Sequence, residues 1–143
     1  MLAMHRDIPI DDLLGFLDRP ITSVLATRRA DGDVRLSPVW HEWRDGGFNV
    51  VTLEGSEKVR HVRRDPRVSF VVAEQAYPWT GVELHCEARI LTEGVEEVAR
   101  RVNVRYEGAE RGEDFTTETA PASVILRLEP GALRTWDYGD EED

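Results

Sequence analysis

Residues 25–72, LATRRADGDVRLSPVWHEWRDGGFNVVTLEGSEKVRHVRRDPRVSFVV, decide how this chain is read. Apolar and β-branched runs flank Asp31-Gly32, a tight-hairpin dipeptide, and Asp45-Gly46-Gly47 makes a second turn. ITSVLATRR, VRLSPVWHEW and FNVVTL are therefore expected to form a three-stranded meander. Ser56 has the chemistry of a helix N-cap, and KVRHVRR continues as a short helix with Val59 and Val62 three apart on one face. Asp65-Pro66 ends that helix, and RVSFVVA resumes the sheet.

Outward from this segment, IPIDDLLGFLDRP reads as a short helix with Asp11 and Asp12 in its first turn and Pro20 beyond its end. GVELHCEARIL reads as one long strand, alternating Val82, Leu84, Cys86, Ala88 and Ile90 against Glu83, His85, Glu87 and Arg89. GVEEVARRVNVRYEG is an amphipathic helix, EGAERGEDFTTETAP a polar loop, and SVILRLEPGALRTWDY two short strands about Pro130-Gly131. Together these predict one domain over residues 1–143, flexible over 1–9 and 138–143. The class is mainly β: about seven antiparallel strands in a closed or nearly closed barrel with two or three short helical inserts.

The composition narrows the function. A hydrophobic fraction of 41% and a charged fraction of 32% are those of a globular protein, and no apolar run approaches the roughly 20 residues of a membrane helix. The N-terminal MLAMHRDIPIDD lacks the apolar core of a signal peptide, so a cytoplasmic location is expected. A formal net charge of −10 argues against nucleic acid and anionic membranes as partners. The single cysteine, Cys86, excludes an internal disulfide and lies on the apolar phase of its strand, where thiols are inert.

No G-x-G-x-x-G, G-x-x-x-x-G-K-[ST] or G-x-S-x-G occurs, which removes support for dinucleotide-fold, P-loop and hydrolase readings. His41-Glu42 lacks the second histidine of a zincin helix, and His85 and Glu87 lack a third ligand, so no metal site is expected. Redox chemistry would have to come from a bound cofactor.

One basic segment stands out in this acidic chain. Residues 55–67, GSEKVRHVRRDPR, hold Lys58, the only lysine, with Arg60, Arg63, Arg64 and Arg67. A Ser56-capped helix offers free N–H groups and a positive dipole end, to which Lys58 and Arg60 can add charged hydrogen bonds to a phosphate. The plainer reading is a short surface helix with solvated arginines. Glu57 in the same turn opposes an anion unless its side chain turns away. Trp40, Trp43, Tyr77 and Trp79 are read either as core and surface filling or as a platform for a planar ring.

In order, the LAT strand with its DG turn, the SPVW strand, Thr52-x-x-Gly55-x-x-Lys58-x-Arg60 and RRDPRVSF resemble the flavin- and deazaflavin-binding split-barrel family related to pyridoxamine 5'-phosphate oxidase. The closing RTWDYG is similar to the end of members that use the deazaflavin coenzyme F420. The resemblance, over about residues 10–137, implies an FMN-binding split-barrel type fold: a six-stranded antiparallel split β-barrel, homodimeric, with two cofactor sites at the subunit interface. It implies that Ser37, Pro38, Val39 and Trp40 run beside the tricyclic ring and that Thr52, Gly55 and Ser56 approach the cofactor's side chain. It further implies that Lys58 and Arg60 bind its phosphate, and that Trp79 and Trp136 reach the ring or substrate from the partner subunit. The implied function is an oxidoreductase passing hydride from reduced coenzyme F420 to a small electron-poor organic molecule. FMN in the same site is the alternative, as is a flavin or haem carrier without turnover. Ser56 or Glu57 replaces a basic residue of many deazaflavin binders and His61 replaces an asparagine, which puts the grip on an anionic tail in question.

Overall fold

The computed structural model describes residues 2–140. In chain order the elements are β1 (Leu2–Arg6), a 3-10 turn at Ile10–Leu13 running into α1 (Leu14–Leu17), β2 (Ser23–Arg28), β3 (Val34–Val39), β4 (Glu42–Arg44), β5 (Gly47–Leu53) and α2 (Glu57–Arg64). They continue with β6 (Arg67–Ala73), β7 (Gly81–Glu87), β8 (Arg89–Leu91), α3 (Val95–Glu107), α4 (Ala109–Thr119), β9 (Ser123–Leu128) and β10 (Ala132–Asp140). The strands form two antiparallel sheets, one ordered β1-β10-β7-β6-β2-β3 and one ordered β4-β5-β9-β8. This is the expected mainly-β split barrel, with ten strands and four α-helices among the described residues rather than about seven and two or three.

The additional strands arise at two corners. VRLSPVWHEW is not one strand: β3 ends at Val39, the chain turns through Trp40-His41, and β4 joins the other sheet. Two of the backbone groups freed by this corner are taken by α3, because the His41 N–H donates to the Tyr106 hydroxyl at 3.3 Å and the Arg105 guanidinium donates to the His41 carbonyl. GVELHCEARIL breaks in the same way at Ala88, whose N–H donates to the Pro66 carbonyl at 2.8 Å. The strands about Pro130-Gly131 likewise go to different sheets.

Alternation along the strands builds the core. Ser23, Leu25 and Thr27 of β2 point inward, as do Phe70 and Val72 of β6 and Val82 and Leu84 of β7. Phe48 and Val50 of β5 and Leu126 and Leu128 of β9 meet them from the other sheet. The opposite face of the smaller sheet is covered too: α3 lays Val95, Val98 and Val102 on Ile125, with Trp40 and Val51 at the margin. Burial on both faces explains why VVTL and VILRL are nearly continuous apolar runs.

One further expectation is corrected. EGAERGEDFTTETAP is helix α4, not a loop, and it packs closely on α3: a Cβ at Gly112 would stand 2.5 Å from the Val104 Cα. Its buried residues are Gly112 and Thr116, so it carries no apolar stripe, and the Asn103 amide donates to the Thr116 hydroxyl at 3.0 Å instead. The described parts of the chain ends pair as strands, Leu2 opposite Asp140 through Arg6 opposite Trp136. Residues 1 and 141–143 of the ends expected to be flexible lie outside the described residues.

Candidate functional site

The β3–β4 corner, the end of β5 and the two packed helices enclose a cleft of about 310 Å³. Pro38, Val39 and Trp40 line one side, Val51, Thr52 and Leu53 the floor, and Val102, Asn103, Phe115 and Thr119 the helical wall, with Lys58 entering from α2. Trp40 is fixed there rather than free: its ring lies flat on Tyr106, centroids 4.8 Å apart and planes 7° from parallel. Tyr106 is held in turn, its hydroxyl donating to the Ile21 carbonyl at 2.7 Å.

Behind the corner lies a buried polar core. The Ser23 hydroxyl donates to the Val39 carbonyl at 3.0 Å and pairs with His41 Nδ1 at 2.9 Å, while His41 packs edge-on against Phe48 and Phe70. Burial, reinforced by the Arg105 charge, pushes the His41 imidazole down to about 3, so it is neutral at ordinary pH. Its Nε2 and the Arg105 Nε are buried without a hydrogen-bond partner among the described residues. Nearby, Glu42 accepts both Arg101 nitrogens at 2.9 Å and the Asn49 amide at 2.8 Å. Burial raises the Glu42 carboxyl, but those hydrogen bonds and the Arg101 charge outweigh it, and the net direction is down. This fork ties α3, and so the cleft's helical wall, to the sheet.

Helix α2 divides the basic cluster. The Ser56 hydroxyl accepts from the Val59 N–H, the predicted cap, and also from the Thr52 hydroxyl at 3.3 Å. Lys58 and Arg60 are two residues apart and so cannot share a helix face. Lys58 opens into the Trp40 cleft without an ion-pair partner among the described residues. Burial, then the Arg35 charge, lowers its ammonium pKa, the signature of a cation short of compensating negative charge. Arg60 instead lines a separate polar cleft with Arg29, Arg35, His61 and Arg64. Glu57 turns to that side, pairing with Arg35 and with Arg60 at 3.2 Å.

The remaining expected residues are spread more widely. Gly55 and Ser56 line a neighbouring open hollow that shares Leu53 and Ser123 with the Lys58 cleft. Ser37 points into the barrel, buried. Trp79 packs against Tyr77 and Tyr138, and Trp136 lies across Gly81 with the Arg134 guanidinium over its ring, so neither enters the cleft of its own chain. Phe115, Asn103 and Thr119 were not foreseen; Asn103 reaches the cleft from α3, whereas Phe115 and Thr119 come with α4, whose sequence carries no apolar period.

Other chemistry is weakly supported. Ser69, His85 and Glu83 form a hydrogen-bonded chain, but on an exposed sheet face outside every cleft described above. Burial first, then Glu129 and Glu87, pushes the Cys86 thiol up to about 11, which makes it a poor nucleophile. No helix among the described residues is long and apolar enough to cross a membrane.

Residues 10–137 match the family model of pyridoxamine 5'-phosphate oxidase. The chain belongs to the pyridoxamine 5'-phosphate oxidase family. A conserved hypothetical protein from Mycobacterium tuberculosis is similar to it, with a TM-score of 0.80 and 28% identity over 92% of this chain and 86% of that one. An F420 reductase superposes with a TM-score of 0.67 at 22% identity, over 83% and 93% of the two chains. The heme storage protein HutZ from Vibrio cholerae gives 0.68 at 18% identity, over 86% and 91%. At those identities the last two likenesses speak for the fold alone. No curated protein matches the chain.

Proposed function

We propose that this protein is a cytoplasmic oxidoreductase that binds reduced coenzyme F420 and passes hydride to a small electron-poor organic acceptor. Members of its family bind flavins or deazaflavins. The observation that carries the reading is Lys58: the chain's only lysine, half-buried and without a carboxylate partner among the described residues, in a cleft walled by Trp40. The donor set fits an anionic cofactor with a planar ring. An ammonium and the Thr52 hydroxyl suit a phosphate ester, and Trp40, Pro38 and Val39 offer an apolar side for a ring.

When bound, the reduced deazaflavin supplies a hydride and a proton, leaving oxidised cofactor and an acceptor reduced by two electrons. The chain's own residues bind and orient. Lys58 neutralises the phosphate, Thr52 and the Ser56 turn hold the linking chain, and Trp40, locked on Tyr106, limits water beside the ring.

A second copy is part of the proposal. Edge strand β3 turns Val34, Leu36 and Pro38 outward, and Leu36 is 67% exposed, an apolar row suited to a self-complementary dimer face. Across such a face Trp79 and Trp136 belong to the partner's site rather than their own.

FMN is the second reading, and Glu57 favours it. By holding Arg35 and Arg60, Glu57 removes two cations from the reach of a long anionic tail, which penalises F420 more than FMN. Calorimetric titration of the apo-protein with each cofactor decides between them. Saturable binding of F420 with consumption of its reduced form by an acceptor supports the main reading. Tight binding without turnover makes the protein a carrier, and binding of neither rejects both.

A further inference from the structure

The cleft does not end at Trp40. Trp40 and Phe115 stand edge to face, centroids 6.2 Å apart, and both also line a second hollow of about 340 Å³. The rest of that hollow is Glu107 at the end of α3 with Arg111, Asp114 and Glu118 of α4. Arg111 is held by Glu107 at 3.2 Å, but Asp114 and Glu118 have no cationic partner among the described residues. Four residues apart, they share one face of α4, and Phe115 beside them is left 44% exposed. The two halves of the groove therefore differ in sign: Lys58 on one side of the Trp40–Phe115 pair and two unpaired carboxylates on the other.

We propose that the outer hollow is the substrate half of this groove and takes an organic cation, a planar apolar group bearing one positive charge. The exposed Phe115 ring can attract a cation through its π system, and Trp40, held on Tyr106, extends the apolar wall that covers the cation's body. The carboxylates attract the same charge and repel an anion. Lys58, on the far side of the aromatic pair, leaves the anionic ligand to the inner half. As a substrate site the assignment rests on the cofactor reading above; as a cation site it is testable without any cofactor.

The test is calorimetric titration of the full chain, cofactor-free, with N-methylquinolinium, neutral quinoline and anionic quinoline-2-carboxylate at mildly alkaline pH. The cation should bind roughly fivefold to twentyfold more tightly than quinoline at low ionic strength, and the carboxylate more weakly than either. The double variant Asp114→Asn, Glu118→Gln, two exposed isosteric changes checked by circular dichroism, should bring the cation to the affinity of quinoline and leave quinoline unchanged. Equal affinities in the native protein, no saturable cation binding, or a preference that survives the double variant would overturn the proposal. Repeating the titration with FMN or F420 present separates the two readings. Failure of both cofactors to bind sinks the cofactor reading but leaves the cation preference measured, and competition between cation and bound cofactor contradicts a separate outer half.

Discussion

Lys58 and Arg60 stand two residues apart on α2 and open onto different clefts, Lys58 beside Trp40 and Arg60 among Arg29, Arg35 and Arg64. Glu57 accounts for the asymmetry, since its carboxylate holds Arg60 and Arg35 and has no hold on Lys58. Replacing it tests this electrostatic division. Glu57→Gln should release both guanidiniums and tighten F420 binding several-fold, about one exposed ion pair's worth of 0.2–1 kcal/mol per freed cation, with a smaller gain for FMN. Calorimetry on the two cofactors reads the difference; a loss of affinity would show that Glu57 itself supports the ligand.

Buried His41 should make the protein acid-labile. Its pKa is depressed in the folded state, from an ordinary 6.5 to about 3, so the unfolded chain binds the proton more readily. Stability is therefore fully present above about pH 6.5 and falls as pH drops toward 3, by roughly 4 kcal/mol if His41 acts alone. Urea unfolding across that range should show a slope near one proton, and His41→Gln should remove it.

Arg101→Ala strands a carboxylate. Glu42 is 4% exposed and would lose its two-pronged partner, an uncompensated buried charge that costs about 3 kcal/mol at neutral pH. Acid should narrow the deficit, because the lowered Glu42 pKa stabilises the native protein only above the carboxylate's ordinary range, whereas the variant's Glu42 can protonate. Denaturant midpoints at neutral and acid pH check both signs.

Leu36→Glu should split the proposed dimer. A charge placed in the exposed apolar row of β3 leaves the barrel core untouched, because Leu36 points away from it. Sedimentation velocity should report a dimer for the native chain and a monomer for the variant; a native monomer removes the second copy from the account.

Much of this was legible in the sequence where residue chemistry acts locally. Ser56 caps α2 as its hydroxyl requires, Val59 and Val62 are buried on the face their spacing defines, and Asp31-Gly32 and Asp45-Gly46 make their turns. What was missed depends on distant partners. VRLSPVWHEW has no turn residue at Trp40-His41; the corner exists because Tyr106 and Arg105, over sixty residues away, satisfy the His41 backbone. Helix α4 hides its packing face in Gly112 and Thr116, a close approach and a buried hydrogen bond that no apolar period announces. The paired ends required β1 and β10 to find each other across nearly the whole chain. The basic cluster was visible as charge, but its division into a ligand face and a paired face depended on where Glu57 turned.

The central claim is that Lys58 holds the cofactor's phosphate, and the dissociation constants of F420 and FMN for the native chain and for Lys58→Ala test it most directly. The account predicts saturable binding by the native protein, weakened about tenfold or more in the variant, the scale of a lost charged hydrogen bond of about 1.5–3 kcal/mol. It also predicts that native affinity falls as pH rises through the lowered Lys58 pKa, since only the ammonium binds the anion, and that Lys58→Ala loses this dependence. An unchanged dissociation constant in Lys58→Ala would contradict it.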